Sequence, residues 1–125
     1  MDFNEYQHQA QRTSNTAKRR DKMENGIMGL CGEAGEAMDI YKKFKFQGHP
    51  LKKDDLIMEL GDILWYVAET ATALGVTMEN IAKMNILKLR ERYPHGFRPQ
   101  DSLNRKEDKS DENMEEGNGA ATAEE

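Results

Sequence analysis

The chain has 125 residues, 33% of them charged, with a net charge of −5 and one cysteine. That length gives one small domain, no run approaches the ~20 apolar residues of a membrane span, and a lone cysteine excludes an internal disulfide. The opening MDFNEYQHQA has no basic segment followed by an apolar run, so the expectation is a soluble cytoplasmic protein with no membrane partner.

The charge is unevenly spread. Residues 101–125 hold nine acids and three bases, which leaves fourteen acids and fifteen bases in residues 1–100. The balanced body lacks the basic excess of a nucleic-acid binder, so no nucleic-acid partner is expected. The acidic end lacks aromatic and β-branched aliphatic residues from Asn104 onward and is expected to be disordered. The reading is therefore a helical domain over residues 1–98 and an acidic tail over 99–125.

In chain order, Asp2 and Glu5 make a capping-box-like start to a first helix over about 3–12. Thr13-Ser14-Asn15-Thr16 reads as a loop. A second helix is expected over 22–45, with Ile27, Leu30, Cys31, Ala34, Ala37, Met38 and Tyr41 recurring at three and four. Cys31 is expected to be a small buried residue. Gln47-Gly48-His49-Pro50 breaks the pattern. A third helix follows to Ala73, its stripe made by Leu56, Ile57, Leu60, Ile63, Leu64, Val67 and Ala71. Gly75 stops it, and Thr77 caps a fourth helix over 78–92, which ends before Pro94. No strand-like alternation competes, so the class is all-α, a bundle of four to five helices. The second and third helices carry apolar residues beyond one stripe (Met28, Trp65, Tyr66), and a body this small makes a modest core. Partner subunits are expected to cover part of that surface.

Two segments share a skeleton: Glu33-Ala34-Gly35-Glu36 and Glu59-Leu60-Gly61-Asp62. With Ala34 and Leu60 taken as stripe centres, Glu33 and Glu59 lie about 100° to one side and Glu36 and Asp62 about 160° to that same side. If the two helices pack antiparallel, the four carboxylates converge at a groove edge. Gly35 and Gly61 each cost about 1 kcal/mol relative to alanine, and their lack of bulk allows a backbone or ligand close. Any one acid pair alone is an ordinary solvated helix face, and Asp2/Glu5, Asp21/Glu24 and Glu36/Asp39 also match the spacing. These two copies differ because they border the packing stripe in matching phase. Four converging carboxylates repel, and a hard divalent cation removes the repulsion, so all-oxygen ligation of Mg²⁺, with Mn²⁺ as a substitute, is expected.

The spacing of Glu33-x-x-Glu36, 22 intervening residues and Glu59-x-x-Asp62 resembles the metal motif of the MazG-like, all-α nucleoside triphosphate pyrophosphohydrolases. The likeness extends to Glu5-Tyr6-Gln7, the block GLCGEAGEAMDIYKK, the loop GHPL, the run ELGDILWYVAETATALG and the segment from Asn85 to Tyr93-Pro94. The resemblance implies cleavage of an NTP or dNTP between the α- and β-phosphates, giving a nucleoside monophosphate and pyrophosphate. It implies Glu33, Glu36, Glu59 and Asp62 as Mg²⁺ ligands, and a helical bundle completed as a homodimer or homotetramer. Glu36 or Glu33 is the candidate catalytic base, and the sequence does not separate ligand from base. Asn85, Lys88 and Arg92, on one face of the fourth helix, are candidate substrate contacts, as are Tyr66, four residues beyond Asp62, and Lys43, with Lys42 beside it. Trp65 is assigned to interface packing ahead of base stacking. His8, His49 and His95 are scattered, and the single E-x-x-H at Glu5–His8 falls short of the two a ferritin-like di-iron bundle needs. The competing class is a non-catalytic helical oligomer, an interaction protein on the same scaffold. Base and sugar preference are not legible.

Overall fold

The computed structural model describes residues 1–105. Five helices occupy them: α1 (Phe3–Gln11), α2 (Arg19–Phe46), α3 (Lys53–Leu74), α4 (Met78–Arg92) and α5 (Pro99–Leu103). No strand occurs among the described residues, so the all-α expectation is correct. The chain divides into two units, Met1–Met84 and Asn85–Glu125, with α4 crossing the boundary.

Local chemistry sets the helix ends. Asp2 caps α1 by accepting a 2.8 Å hydrogen bond from the Glu5 amide, as its position predicts. Gly75 ends α3 in the left-handed region at φ 71°, a conformation that favours glycine. Thr77 Oγ1 accepts from the Asn80 amide at 3.1 Å at the start of α4. The second helix begins at Arg19, three residues earlier than periodicity indicates. That first turn is polar, so a search for apolar spacing passes over it.

In the first unit, α2 and α3 form an antiparallel hairpin and α1 lies against α3. The hairpin closes on two glycines. A Cβ at Gly26 would meet the Thr70 amide nitrogen at 3.0 Å, and one at Gly29 would collide with the Tyr66 ring. These pairings bring α2 and α3 into close backbone contact along the face that also carries Glu33. The core is small. Among the described residues the buried apolar side chains are Ala10, Ala68, Ala71, Ala73 and Met78, with Tyr6, Leu64, Trp65 and Val67 packed against them.

That geometry corrects the assumed stripe. Ala34 and Leu60 are exposed within the chain, with Ile57 at 63% and Leu60 at 55% exposure. Cys31, expected to be buried, is also exposed. Ile27, Cys31, Ala34, Met38 and Tyr41 form a second apolar row on α2 that faces away from α3. The reason is physical: α2 has two apolar rows, and only the glycine-bearing one lets α3 approach closely. Gly35 and Gly61 admit no neighbour here, since a Cβ at either has nothing within 4 Å.

In the second unit, α4 ends before a turn with Gly96 at φ 82°, where the Tyr93 and Phe97 rings meet at 5.4 Å between centroids. The stretch read as tail from 99 starts with α5, a short helix led by Pro99, as proline at the first helical position favours. The remainder of the tail, residues 106–125, lies outside the described residues.

Candidate metal centre

The antiparallel hairpin that matches Gly26 with Thr70 and Gly29 with Tyr66 carries Glu33 of α2 to the level of Glu59 and Asp62 of α3. Glu33, Glu59 and Asp62 each offer a carboxylate oxygen, and these atoms lie within 4.8 Å of one another. Glu33 and Glu59 are half-buried and Asp62 is exposed. Glu36 is exposed, one turn along α2. It stands outside that three-acid contact, yet its charge acts on Glu59. The structure thus brings three of the four predicted acids together and puts the fourth beside them.

Electrostatics mark the cluster as strained in charge. Partial burial, then a hydrogen-bonding contact with the Glu33 carboxyl, then the charges of Glu33, Asp62 and Glu36 push the Glu59 carboxyl above its ordinary range. Like charges crowded at a half-buried position favour protonation or a bound cation. The donors are all carboxylate oxygens, the ligand type of Mg²⁺, Mn²⁺ and Ca²⁺. The residues therefore fit a hard divalent ion.

The neighbours of the cluster come from three helices. Tyr6 of α1 is half-buried, and that burial, followed by the Asp62 charge, raises its phenol above the usual value. Tyr66 lies between α2 and α3, its ring against Gly29 and edge-on to Trp65 at 5.0 Å between centroids. Trp65 is half-buried, its Nε1 donating to Ala10 O at 3.1 Å and Thr13 Oγ1 at 2.8 Å, so it packs within the chain. Lys43 pairs with Asp39 at 2.6 Å and Lys42 with the same carboxylate at 3.3 Å. The hydrogen bond that Lys43 donates to Asp39 raises its ammonium above its ordinary value, and Glu36 adds to the effect. Asn85, Lys88 and Arg92 lie on the part of α4 that belongs to the second unit. Asn85 and Lys88 are exposed there, and Arg92 is half-buried.

Two features escape a reading of the sequence. Glu69 is fully buried at 0% exposure, ringed by donors from Gln11, Ser14, Thr16 and Lys22. A signal was present: a charged residue set in the alanine-rich run Ala68-Glu69-Thr70-Ala71, on the inward stripe. The other is Gln7, whose amide donates to Thr72 Oγ1 and Val76 O and accepts from the Met78 amide, so its side chain caps α4.

An all-α hairpin with paired acids across it defines a class of helical, acid-lined proteins, and comparison with known sequences narrows it. The chain belongs to the family of MazG nucleotide pyrophosphohydrolase domains, matched over residues 21–97. It is 40% identical over 73 residues to the Gene 37 protein of Mycobacterium phage L5, covering 55% of this chain and 64% of that protein. The chain thus spans somewhat less than two thirds of that relative's length. No solved structure matches. Among the described residues, no helix is long and apolar enough to cross a membrane.

Proposed function

We propose that the protein is a divalent-metal-dependent nucleoside triphosphate pyrophosphohydrolase, cleaving an NTP or dNTP between the α- and β-phosphates to a nucleoside monophosphate and pyrophosphate. The observation that carries this reading is the convergence of Glu33, Glu59 and Asp62 within 4.8 Å in a chain of the MazG family. A polyanionic substrate and an acid cluster repel each other unless a cation lies between them.

In this reading Glu33, Glu59, Asp62 and Glu36 hold Mg²⁺, with Mn²⁺ as a substitute. The bound ion supplies positive charge for phosphate oxygens and acidifies a water. The chain's own groups do the rest. Glu36 or Glu33 accepts the proton of the attacking water in this reading; Glu36 lies outside the three-acid contact, and Glu33 is engaged with Glu59. Lys43, raised toward the charged form by Asp39, meets phosphate charge. Asn85, Lys88 and Arg92, in the second unit, are assigned contacts to phosphate or sugar on the family likeness alone. Tyr66 borders the nucleotide from the hairpin seam.

The exposed row on α2 and the exposed Ile57 and Leu60 on α3 support a homo-oligomer, a dimer or a tetramer. Five buried apolar side chains among the described residues make a modest core for a body of this length. A second copy of the hairpin covers apolar rows that water otherwise meets.

The decisive experiment incubates the full chain with each NTP and dNTP, with and without Mg²⁺, and follows pyrophosphate release. Metal-dependent release that Glu59→Gln lowers by about 100-fold or more supports the reading. Turnover by Glu59→Gln within a few-fold of wild type overturns the metal assignment. No release from any nucleotide overturns the enzymatic reading.

A further inference from the structure

Glu69 is the one fully buried charged side chain among the described residues, and no chemical step above uses it. A carboxylate is costly to bury unless donors surround it. Here they do. Gln11 Nε2 donates at 2.9 Å, Ser14 Oγ at 2.9 Å, Thr16 Oγ1 at 2.5 Å and Lys22 Nζ at 3.5 Å. Lys22 Nζ also donates to Gln11 Oε1 and Ser14 Oγ, each at 2.8 Å. The donors come from the end of α1, the 12–18 connection and the first turn of α2. One turn of α3 away, Trp65 grips Ala10 and Thr13 of the same segment. Arg19 Nε closes the far end on Ala73 O at 2.5 Å.

The location of this clamp relative to the acids gives it a use. Glu69 follows Asp62 by seven residues, two turns on nearly the same side of α3 and about 10 Å along its axis. Trp65 and Tyr66 fill the interval. The segment that Glu69 holds is continuous with α1, and α1 carries Tyr6 within electrostatic reach of Asp62. A buried ionic network of this kind adds little net stability over apolar packing but enforces one geometry. The loop could have been fastened by apolar contacts alone; a fixed pose beside the acids calls for directional bonds.

We propose that Glu69 is a positioning residue for the nucleotide site, holding the 12–18 connection and α1 as a fixed wall beside the acid cluster. The proposal rests on the pyrophosphohydrolase reading. It assigns to Glu69 an effect on substrate binding that is separate from metal binding.

The test uses the full chain, with Glu69→Gln as the near-isosteric variant and Ser14→Ala as a milder one that keeps the buried charge. Four quantities are measured: helicity by circular dichroism, Trp65 emission (the sequence has one tryptophan), Mn²⁺ affinity by electron paramagnetic resonance, and kcat and KM. For Glu69→Gln the expected result is wild-type helicity, red-shifted Trp65 emission, Mn²⁺ affinity within about two-fold, and KM raised about ten-fold with kcat changed less than three-fold. Ser14→Ala shifts KM in the same direction by about three-fold, and it decides the matter if Glu69→Gln does not fold. A red shift with unchanged KM makes Glu69 a structural strut and overturns the proposal. An equal loss of Mn²⁺ affinity means general damage and also overturns it. A wild-type chain that turns over no nucleotide fails the parent reading instead, and the positioning role falls with it.

Discussion

Glu33 of α2 and Glu59 of α3 meet carboxyl to carboxyl across an antiparallel hairpin, with Asp62 one turn further along α3. Neither residue is displaced into bulk water; both are half-buried. The contact exists because Gly26 and Gly29 let the two helices approach, so the acid pair is a consequence of backbone proximity set one and two turns away.

Glu59 has its carboxyl raised by burial and by Glu33. For an acid, a raised folded value means that its charge opposes folding above the unfolded value. Glu59→Gln is therefore expected to melt at or above the wild-type temperature in the absence of metal. Millimolar Mn²⁺ or Mg²⁺ raises the wild-type melting temperature through binding linkage and leaves that of Glu59→Gln almost unmoved. Thermal scans with and without the ion, on both proteins, give the comparison.

At Glu69, burial pushes the carboxyl upward, but hydrogen bonds from Thr16, Gln11 and Ser14 and the Lys22 charge outweigh it, and the net shift is below the ordinary 4.5. A depressed folded value contributes stability that is fully present above the unfolded value and is lost as pH falls through the folded one. The stability gap between wild type and Glu69→Gln is thus expected to be constant from pH 7 to about 5 and to narrow below about 4.5. Urea midpoints measured across that range follow the gap. Glu69→Ala, which leaves Lys22 without its carboxylate, is expected to cost about 3–5 kcal/mol at pH 7.

The glycines of α2 divide into two kinds. Gly29→Ala drives a methyl group into the Tyr66 ring and is expected to cost about 1–3 kcal/mol, with loosening of the acid contact. Gly32→Ala meets nothing within 4 Å and is expected to gain about 0.5–1 kcal/mol from helix propensity. Chemical denaturation of the two variants side by side separates packing from propensity.

Light scattering addresses assembly. The wild-type protein is expected to have a mass that is a multiple of the 14.3 kDa chain. Leu60→Lys, which sets a charge in the exposed α3 row, is expected to shift the population toward the single chain and lower its melting temperature. A wild-type mass of one chain sinks the oligomer.

Much of this was legible in the residues. The helices, the Asp2 and Thr77 caps, the stop at Gly75 and the acid pairs are all local signals, and the chain expresses them locally. The inward stripe of α2 differs from the one periodicity predicts, because a 3.6 period fixes the angles between positions but not which of two apolar rows meets the neighbour inside the chain. Small residues decided that: Gly26 and Gly29 carry no hydrophobic signal, so a count of apolar spacing gives them no weight. Cys31 and Ala34 fell on the outward row for the same reason. The Glu69 network is not legible in the sequence because its partners lie 47 to 58 residues away, and no short window along the chain contains both sides of it.

Gln7 ties α1 to the turn between α3 and α4, with partners 65 to 71 residues later in the chain. Synthesis runs at about 5–20 residues per second, N-terminus first, so Gln7 is made several seconds before the last of its partners. A chain cut short before residue 76 accordingly keeps the Trp65 and Glu69 bonds to α1 and the 12–18 connection but loses the Val76 and Met78 ties to Gln7.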